Sequence, residues 1–354
     1  MSQSKRENQE IEADTKVWYE DGNIVLIAGS TAFKLYKGLL ASVSPVLKDM
    51  FSLARPDNDL GIPGTETFDG CPTVRTTDSP RDLRCFLYTI TTSFVELLDR
   101  NTLVPFARLA ATVRIAHKYQ AEQVLHAAGS RLRAFFTPDV IAELHAQTAT
   151  HVPQDNVWES FWDRKQRECG VLVPMTGATG VEAVSIARLL GYDDMLPLAL
   201  LLCCACAEPL ELRNGVRRAD GAVVRLSDGD YLGCVQAAPA LARTLHMLGA
   251  AVMHKCAQAT PPGGTVTHSV CKKVLVVMGN EYQKEPVSGP LLDGFVWFQW
   301  RRSLPKAYAE YAQAVCDKCF LRMVQTFRET FSDMTLYVEK ESSYIQIVVG
   351  GGAK

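Results

Sequence analysis

The stretch that decides the fold runs from Gly22 to Phe51 and reads GNIVLIAGSTAFKLYKGLLASVSPVLKDMF. Its first part, residues 24–28, is apolar at every position, which is typical of a strand covered on both faces. Gly29-Ser30 can form a tight turn, because glycine adopts positive φ without strain. Residues 33–36 then alternate in polarity, as a returning strand does. The pattern predicts a β-hairpin.

After this hairpin the apolar period changes from two residues to 3.6. An apolar stripe with helical spacing is formed by Leu39, Leu40, Val43, Val46, Leu47, Met50 and Phe51. Ser44-Pro45 interrupts the stripe with the sequence of a helix start, a serine N-cap followed by proline at the first helical position. We therefore predict two short helices, the second beginning at Ser44.

These residues resemble the signature of BTB/POZ domains, in which a buried strand precedes Phe-x-x-(His)-x-x-x-Leu-Ala-x-x-Ser-Pro-x-(Phe)-x-x-Met-Phe. The matching positions here are Phe33, Leu40, Ala41, Ser44, Pro45, Met50 and Phe51. The flanking sequences at 18–23 and 70–72 are most similar to those of fungal members. The chain departs from the pattern at Asn23, where Asp is usual, and at Tyr36, where His is usual. The resemblance implies an α/β BTB (POZ) domain with a short mixed sheet flanked by helices.

The length of 354 residues predicts two domains. Residues 2–16 carry Ile11 as their one sizeable apolar side chain, so we expect residues 1–15 to form a disordered tail. The BTB domain is expected at 16–137, and a mainly α-helical C-terminal domain with one β-hairpin at 138–354. Because the tail lacks an apolar helical face, we expect none of the helix-swapped dimers that are common in the family.

Within the BTB domain the remaining pattern predicts a loop over 52–70, a strand over 72–76 and three further helices. The first helix covers 81–91 after the cap Asp78-Ser79-Pro80, the second begins at Asn101, and the third covers 121–136. His117, in the second helix, has no cysteine or acidic partner nearby in sequence, so we interpret it as a packed or surface histidine.

In the C-terminal domain, helices are predicted over 139–148, 156–167, 180–190 and 240–256. A further helix is predicted after a cap at Ser227, and the last one includes Cys316 and Cys319 and continues to about Phe331. The apolar run 195–207 is too short to span a bilayer and is interpreted as a buried helix. The hairpin at 215–226 contains Asp220-Gly221, which predicts a two-residue type I′ turn. Its Arg217, Arg218 and Arg225 are expected to form an exposed basic face. The β-prone segment 344–349 must be paired or buried.

The composition limits the classes of function. A net charge of −2 gives no indication of nucleic-acid or anionic-membrane binding. The eleven cysteines follow no recognisable signal peptide, so we expect an intracellular protein of the cytoplasm or nucleus, with reduced thiols. No nucleophile elbow, phosphate-binding loop or His-Glu-x-x-His motif is present. The three cysteines at 203, 204 and 206 lie in an apolar segment, which favours packing over catalysis.

One group of residues could hold a metal. Cys316 and Cys319 form a Cys-x-x-Cys pair, and Cys256 and Cys271 form a wider pair upstream. Four thiolates are the ligand set of a structural zinc. The alternative, four unrelated half-buried thiols, is favoured because the upstream spacing is loose and the downstream pair lies in a helical pattern. His254 and His268 could each replace a cysteine. A metal-dependent enzyme is a remote alternative, because no general base accompanies these ligands.

The expected function is therefore protein–protein interaction without chemistry of its own. As the resemblance implies, the chain is either an adaptor that presents a partner to a cullin-type ubiquitin-ligase scaffold or a transcription-linked BTB scaffold. The second alternative is weakened by the absence of a zinc-finger array and by Asn23 and Tyr36, which alter a pocket common in the family. The first is weakened by the missing N-terminal helix and the absence of a substrate-binding repeat.

Overall fold

The structure is a computed structural model. It describes residues 10–53, 66–137 and 165–239, positions 254, 258, 271–273 and 276, and the backbone of 334–341 and 344–351. The chain divides into two compact units. Unit 1 comprises Met1–Phe135, Gln166–Val173 and Arg218–Ala222, and unit 2 comprises Phe136–Lys165, Pro174–Arg217 and Val223–Lys354.

Unit 1 contains a mixed sheet with the strand order β1-β3-β2-β5-β4. β2 pairs antiparallel with β3 and parallel with β5, so it lies at the centre. β1 pairs parallel with β3, and β4 pairs antiparallel with β5 at the other edge. The central position explains why all residues of β2 are buried. The strands are β1 (Glu12–Trp18), β2 (Ile24–Ala28), β3 (Thr31–Leu35), β4 (Thr67–Phe68) and β5 (Cys71–Thr76).

The hairpin predicted from residues 24–36 is confirmed. β2 and β3 pair from Ile24↔Leu35 to Ala28↔Thr31, and Gly29 in the turn has a φ of 55°. The residues packed on one face of the sheet are Val25, Ile27, Ala32 and Cys71, with Ile11, Trp18 and Phe68 against them. Phe33 pairs with Leu26, points to the opposite face and is fully buried. The sheet is therefore covered on both sides, as the continuous apolar run predicts.

Residues 12–15, expected in a disordered tail, form the first part of β1, so that expectation is wrong for these residues. The side chain of Asp14 is fully buried. It accepts hydrogen bonds from the main-chain N–H groups of Lys16 and Val17, both at 2.9 Å, and from Nε of Arg84. A buried carboxylate with several donors fixes a strand that has few apolar side chains. Counting the apolar residues of the segment does not reveal this buried carboxylate and its hydrogen bonds.

The helices predicted in unit 1 are present. The starts at Ser44 and Ser79 are confirmed: the N–H of Leu47 donates to Ser44 Oγ at 3.0 Å, and that of Asp82 donates to Ser79 Oγ at 3.4 Å. Besides these, the structure contains a short helix, α4, that the sequence pattern does not predict. The helices are α1 (Lys37–Val43), α2 (Pro45–Leu53), α3 (Pro80–Thr91), α4 (Phe94–Leu98), α5 (Phe106–Lys118) and α6 (Glu122–Phe136).

Two expectations for the connecting segments are wrong. α2 continues to Leu53 and β4 occupies 67–68, so a loop over all of 52–70 is incorrect. Asn101 does not begin a helix; it lies in a turn where its main-chain N–H donates to Asp99 Oδ1 at 3.0 Å. The chain then forms β6 (Val104–Pro105), and α5 begins only after it. β6 pairs parallel with β7 (Val171–Leu172), a later strand that also belongs to unit 1.

Unit 2 contains the helices predicted around 180–190 and 195–207. In the observed structure they are α7 (Gly177–Leu190) and α8 (Leu196–Cys206), followed by α9 (Pro209–Asn214). α7 and α8 approach closely, because an added Cβ at Gly180 would lie 2.8 Å from the main-chain nitrogen of Cys203. Residues 228–239 are helical, and the predicted cap is confirmed by the N–H of Asp230 donating to Ser227 Oγ at 3.1 Å.

The second hairpin is confirmed, although its turn differs from the prediction. β8 (Val216–Arg217) pairs antiparallel with β9 (Val223–Val224). The N–H of Gly221 donates to the carbonyl of Arg218 at 2.9 Å, and the N–H of Arg218 donates to the carbonyl of Ala222 at 2.8 Å. Of the Asp-Gly pair, Gly221 alone has a positive φ, 84°. This is a three-residue loop with a left-handed glycine, and not a type I′ turn.

The β-prone C-terminal segment is paired, as expected. It lies in β11 (Tyr344–Gly351), which pairs antiparallel with β10 (Met334–Glu341) in unbroken register. The helices expected over 139–148, over most of 156–167 and 240–256, and from Cys319 to Phe331 lie outside the described residues. No helix in the described part of the chain is both long and apolar enough to cross a membrane.

Candidate protein-interaction surface

α4 presents aliphatic side chains to solvent. Val95 is 77% exposed and Leu98 is 60% exposed, whereas Leu97 between them is buried. Residues three apart on a helix are neighbours, so Val95 and Leu98 form one small apolar face. Leu103, which follows α4, is also exposed. Aliphatic surface left in water contributes nothing to folding, and a contiguous patch of it is typical of a binding surface.

A groove lies beside α4. Two cavities of about 560 and 520 Å³ share the lining residues Phe94, Glu122 and Gln123, and we call them together the α4–α6 groove. The other apolar residues that line it are Leu97, Leu98 and Ala127 in the first cavity, and Leu39, Val43, Pro45, Ile90 and Val124 in the second. Two neighbouring cavities with aliphatic side chains in their lining suit the apolar face of a partner helix.

The rim of the groove is polar. The charged and polar side chains of Arg100, Glu122, Gln123 and His126 line the cavities and are exposed. Both signs of charge are present, so the groove has no strong preference for an acidic or a basic ligand. An apolar centre with a polar rim is the usual composition of a protein–protein interface.

α4 depends on its surroundings for its position. A helix of five residues is too short to be stable alone, and Leu97 is its only buried residue. Ser93 at its N-terminus makes no capping hydrogen bond with its side chain. Its Oγ instead accepts from Nη2 of Arg108, while Nη1 of the same arginine lies 3.2 Å from Oε2 of Glu96. Arg108 on α5 therefore fixes the start of α4.

The two positions that depart from the BTB pattern lie opposite each other at the ends of β2 and β3. Asn23 Oδ1 accepts from the main-chain N–H of Lys37 at 2.7 Å, and the hydroxyl of Tyr36 donates to Asp21 Oδ1 at 2.6 Å. The hydrogen bond to Asp21, followed by desolvation, raises the pKa of Tyr36. Tyr36 is therefore neutral at physiological pH, and both residues serve to tie the ends of the hairpin.

Arg218, expected on an exposed basic face, is 13% exposed and is part of an ion-pair network, so that expectation is wrong for this residue. Its Nη1 lies 3.2 Å from Asp82 Oδ2, which also accepts from Arg114 Nε at 2.8 Å. Its Nη2 pairs with Asp220. Burial alone would raise the pKa of Asp220, but hydrogen bonds from Arg218 and Ser79 lower it to about 2.

The structure describes one of the four cysteines that could bind zinc. Cys271 is buried, and Cys256, Cys316 and Cys319 lie outside the described residues. His254, a possible replacement ligand, is exposed, and its Nε2 lies 2.8 Å from Nε2 of Gln258. Within the described ranges, no group of three or more His, Cys, Asp or Glu side chains is placed to hold a metal ion. The zinc site stays a prediction.

The remaining residues singled out in the sequence are buried cysteines and one exposed histidine. Cys203 and Cys204 on α8 and Cys234 in the helix over 228–239 are buried. The hydrogen bond that the Cys204 thiol makes with Cys234, together with burial, raises the pKa of Cys204. A neutral buried thiol is a poor nucleophile. His117 is exposed on α5, one of the two placements that its sequence context predicts.

Sequence reasoning missed α4 and its exposed residues. A usable signal was present, because residues 94, 95, 97 and 98 are all apolar. These positions lie on one side of a helix, so the pattern could have predicted α4, whereas the exposure of Val95 and Leu98 depends on how α4 packs.

Comparison of the chain with models of protein families, with curated proteins and with solved structures found no match. The BTB assignment therefore stays a resemblance based on residues 22–51.

Proposed function

We propose that unit 1 is a BTB-type protein-interaction module and that the chain is an adaptor presenting a partner to a cullin-type ubiquitin-ligase scaffold. The observation on which this proposal depends is the α4–α6 groove, with Leu98 in its wall and Val95 exposed beside it. The BTB-like motif around Phe33 supplies the class of scaffold. The groove supplies a surface on which a scaffold helix can dock.

The geometry of the groove favours a helix as the occupant. Its two cavities share Phe94, Glu122 and Gln123, and their lining runs along α6 from Glu122 to Arg131, so it is elongated. An amphipathic helix places apolar anchors at positions i, i+3 and i+4, and these can fill successive apolar cavities. The resemblance to BTB adaptors implies a cullin-type scaffold as the partner that supplies this helix.

The direct test is binding of a purified cullin N-terminal domain to the full chain. Leu98→Asp places a charge in the apolar centre of the interface, so the dissociation constant should rise by at least about tenfold. Leu210→Asp is the matched control. Leu210 is 68% exposed, close to the 60% of Leu98, but lies on α9 in unit 2. Leu210→Asp should leave the affinity for the cullin domain unchanged. Equal effects of the two substitutions, or no binding by the unmodified chain, would contradict the proposal.

The nature of the partner is tested by affinity capture of the full chain from native extract, followed by mass spectrometry. A cullin that is captured by the unmodified chain and lost with Leu98→Asp supports the adaptor function. Chromatin factors without a cullin would contradict it and favour the transcription-linked scaffold.

A further inference from the structure

Arg131 on α6 is a buried cation surrounded by main-chain carbonyl groups. It is 2% exposed, and all six of its hydrogen bonds among the described residues go to carbonyl oxygens. Three acceptors lie at the end of α4: Glu96 at 2.7 Å, Leu97 at 3.1 Å and Asp99 at 3.4 Å. Thr102, in the turn that follows, accepts at 2.5 Å.

The remaining acceptors come from a later part of the chain. Nη2 of Arg131 donates to the carbonyl of Gly170 at 2.6 Å, and Nε donates to that of Cys169 at 3.4 Å. The carbonyl of Gly170 also accepts from the N–H of Val104 at 2.9 Å, next to the pairing of β6 with β7. One guanidinium thus joins α6, the end of α4 and residues 169–170.

This arrangement is rigid for an electrostatic reason. A buried guanidinium whose hydrogen bonds among the described residues all go to carbonyl groups must be stabilised largely by their dipoles. Burial lowers the pKa of Arg131, and the charge of Asp99 raises it. The carbonyl groups in turn are held by the arginine, because a buried acceptor that loses a donor is costly; the carbonyl of Gly170 keeps a second donor, the N–H of Val104. The planar fork of arginine can reach several carbonyls at fixed angles, which a lysine ammonium cannot do.

Gly170 is required at its position for two independent reasons. Its φ is +65°, a backbone conformation that residues other than glycine rarely adopt. An added Cβ would also lie 1.9 Å from Arg131 Nη2 and 2.7 Å from the carbonyl oxygen of Arg100. Any side chain at 170 would therefore displace the guanidinium from its carbonyl partners.

We infer that Arg131 and Gly170 are positioning residues for the interaction surface, and that the α4–α6 groove is complete only when residues 166–173 are in place. Arg108 fixes the start of α4, and Arg131 fixes its end through contacts that include the later segment. Since α4 carries Val95 and Leu98, a change at Gly170 alters the binding surface without touching it. The inference concerns the same surface as the proposed function and rests on it for the part that involves binding.

The first experiment needs no partner. Hydrogen exchange of the full chain is measured for Gly170→Ala, for Arg131→Lys and for the matched control Gly191→Ala. Gly191 has a nearly identical φ of +66°, but an added Cβ there has nothing within 4 Å. The exchange of amides 94–104 should accelerate by at least about tenfold in the first two variants and stay unchanged in the control. Amides of β2 should exchange as before, which shows that unit 1 remains folded.

The inference is overturned if amides 94–104 exchange at the unmodified rate in both variants, or if Gly191→Ala accelerates them equally. Should Gly170→Ala unfold the unit, Arg131→Lys decides alone, because it keeps the positive charge and removes only the fork. The second experiment measures affinity for the cullin N-terminal domain, and both variants should weaken it by about tenfold. If the unmodified chain does not bind this domain, the proposed function fails while the exchange result still decides the positioning role.

Discussion

Phe33→Ala tests whether the predicted hairpin forms the core of unit 1. Phe33 is fully buried and faces Leu26 across the β2–β3 pair. Its truncation loses the transfer free energy of the ring and leaves a cavity, which together cost about 3–5 kcal/mol. This is a large part of the stability of a typical domain, about 5–15 kcal/mol. Phe68→Ala is the control, because Phe68 is half-buried on β4 and its ring contacts Trp18 edge-on at 6.0 Å. We expect it to cost about 1 kcal/mol.

Hydrogen exchange of the amides of β2 is the suitable assay, because it reports on unit 1 alone and requires no two-state unfolding of the whole chain. A loss of about 3–5 kcal/mol accelerates the slowest amides by about two to three and a half orders of magnitude. Phe68→Ala should accelerate them by less than about tenfold. Equal acceleration in the two variants, or less than tenfold for Phe33→Ala, would refute the placement of Phe33 in the core.

Three further predictions concern titratable groups and metal. Burial, followed by the 2.5 Å hydrogen bond to Asp78, raises the pKa of Tyr119, so its contribution to stability is complete below about pH 10 and is lost as the pH rises further. The stability difference between the unmodified chain and Tyr119→Phe, measured by urea unfolding, should therefore shrink above that pH. Because the pKa of Asp220 is lowered to about 2, its contribution to stability is present above about pH 4 and is lost as the pH falls to 2. The stability difference between the unmodified chain and Asp220→Asn, measured by acid unfolding, should therefore vanish over that interval. Protein purified without a histidine tag should contain well below one zinc per chain by elemental analysis; if zinc is bound instead, Cys319→Ser should release it and leave the melting of unit 1 unchanged.

The parts of the fold that follow from short-range patterns could be predicted. The continuous apolar run at 24–28, the serine-proline starts at Ser44 and Ser79, and the need of 344–349 for a partner each depend on neighbouring residues. The physical cause of each is visible within a few positions of sequence: burial of both faces, a side-chain cap, or an unpaired strand.

The parts that were missed depend on contacts between distant residues. β1 is held by Asp14 and Arg84, which are seventy positions apart. The role of Arg218 depends on Asp82, and Arg131 depends on carbonyl groups as distant as Gly170. A charged residue that is buried against a distant partner has the same local sequence as one that faces water. The exposed face of α4 was missed for the related reason that exposure is a property of the packed structure.

The measurement that tests the central claim most directly is a hydrogen-exchange footprint of the full chain with a cullin N-terminal domain. The account predicts protection of α4 and the first half of α6, which line the groove, and no change in α9. Protection confined to other elements, or no protection at concentrations that saturate a known BTB adaptor, would contradict the claim that the α4–α6 groove binds a cullin-type scaffold.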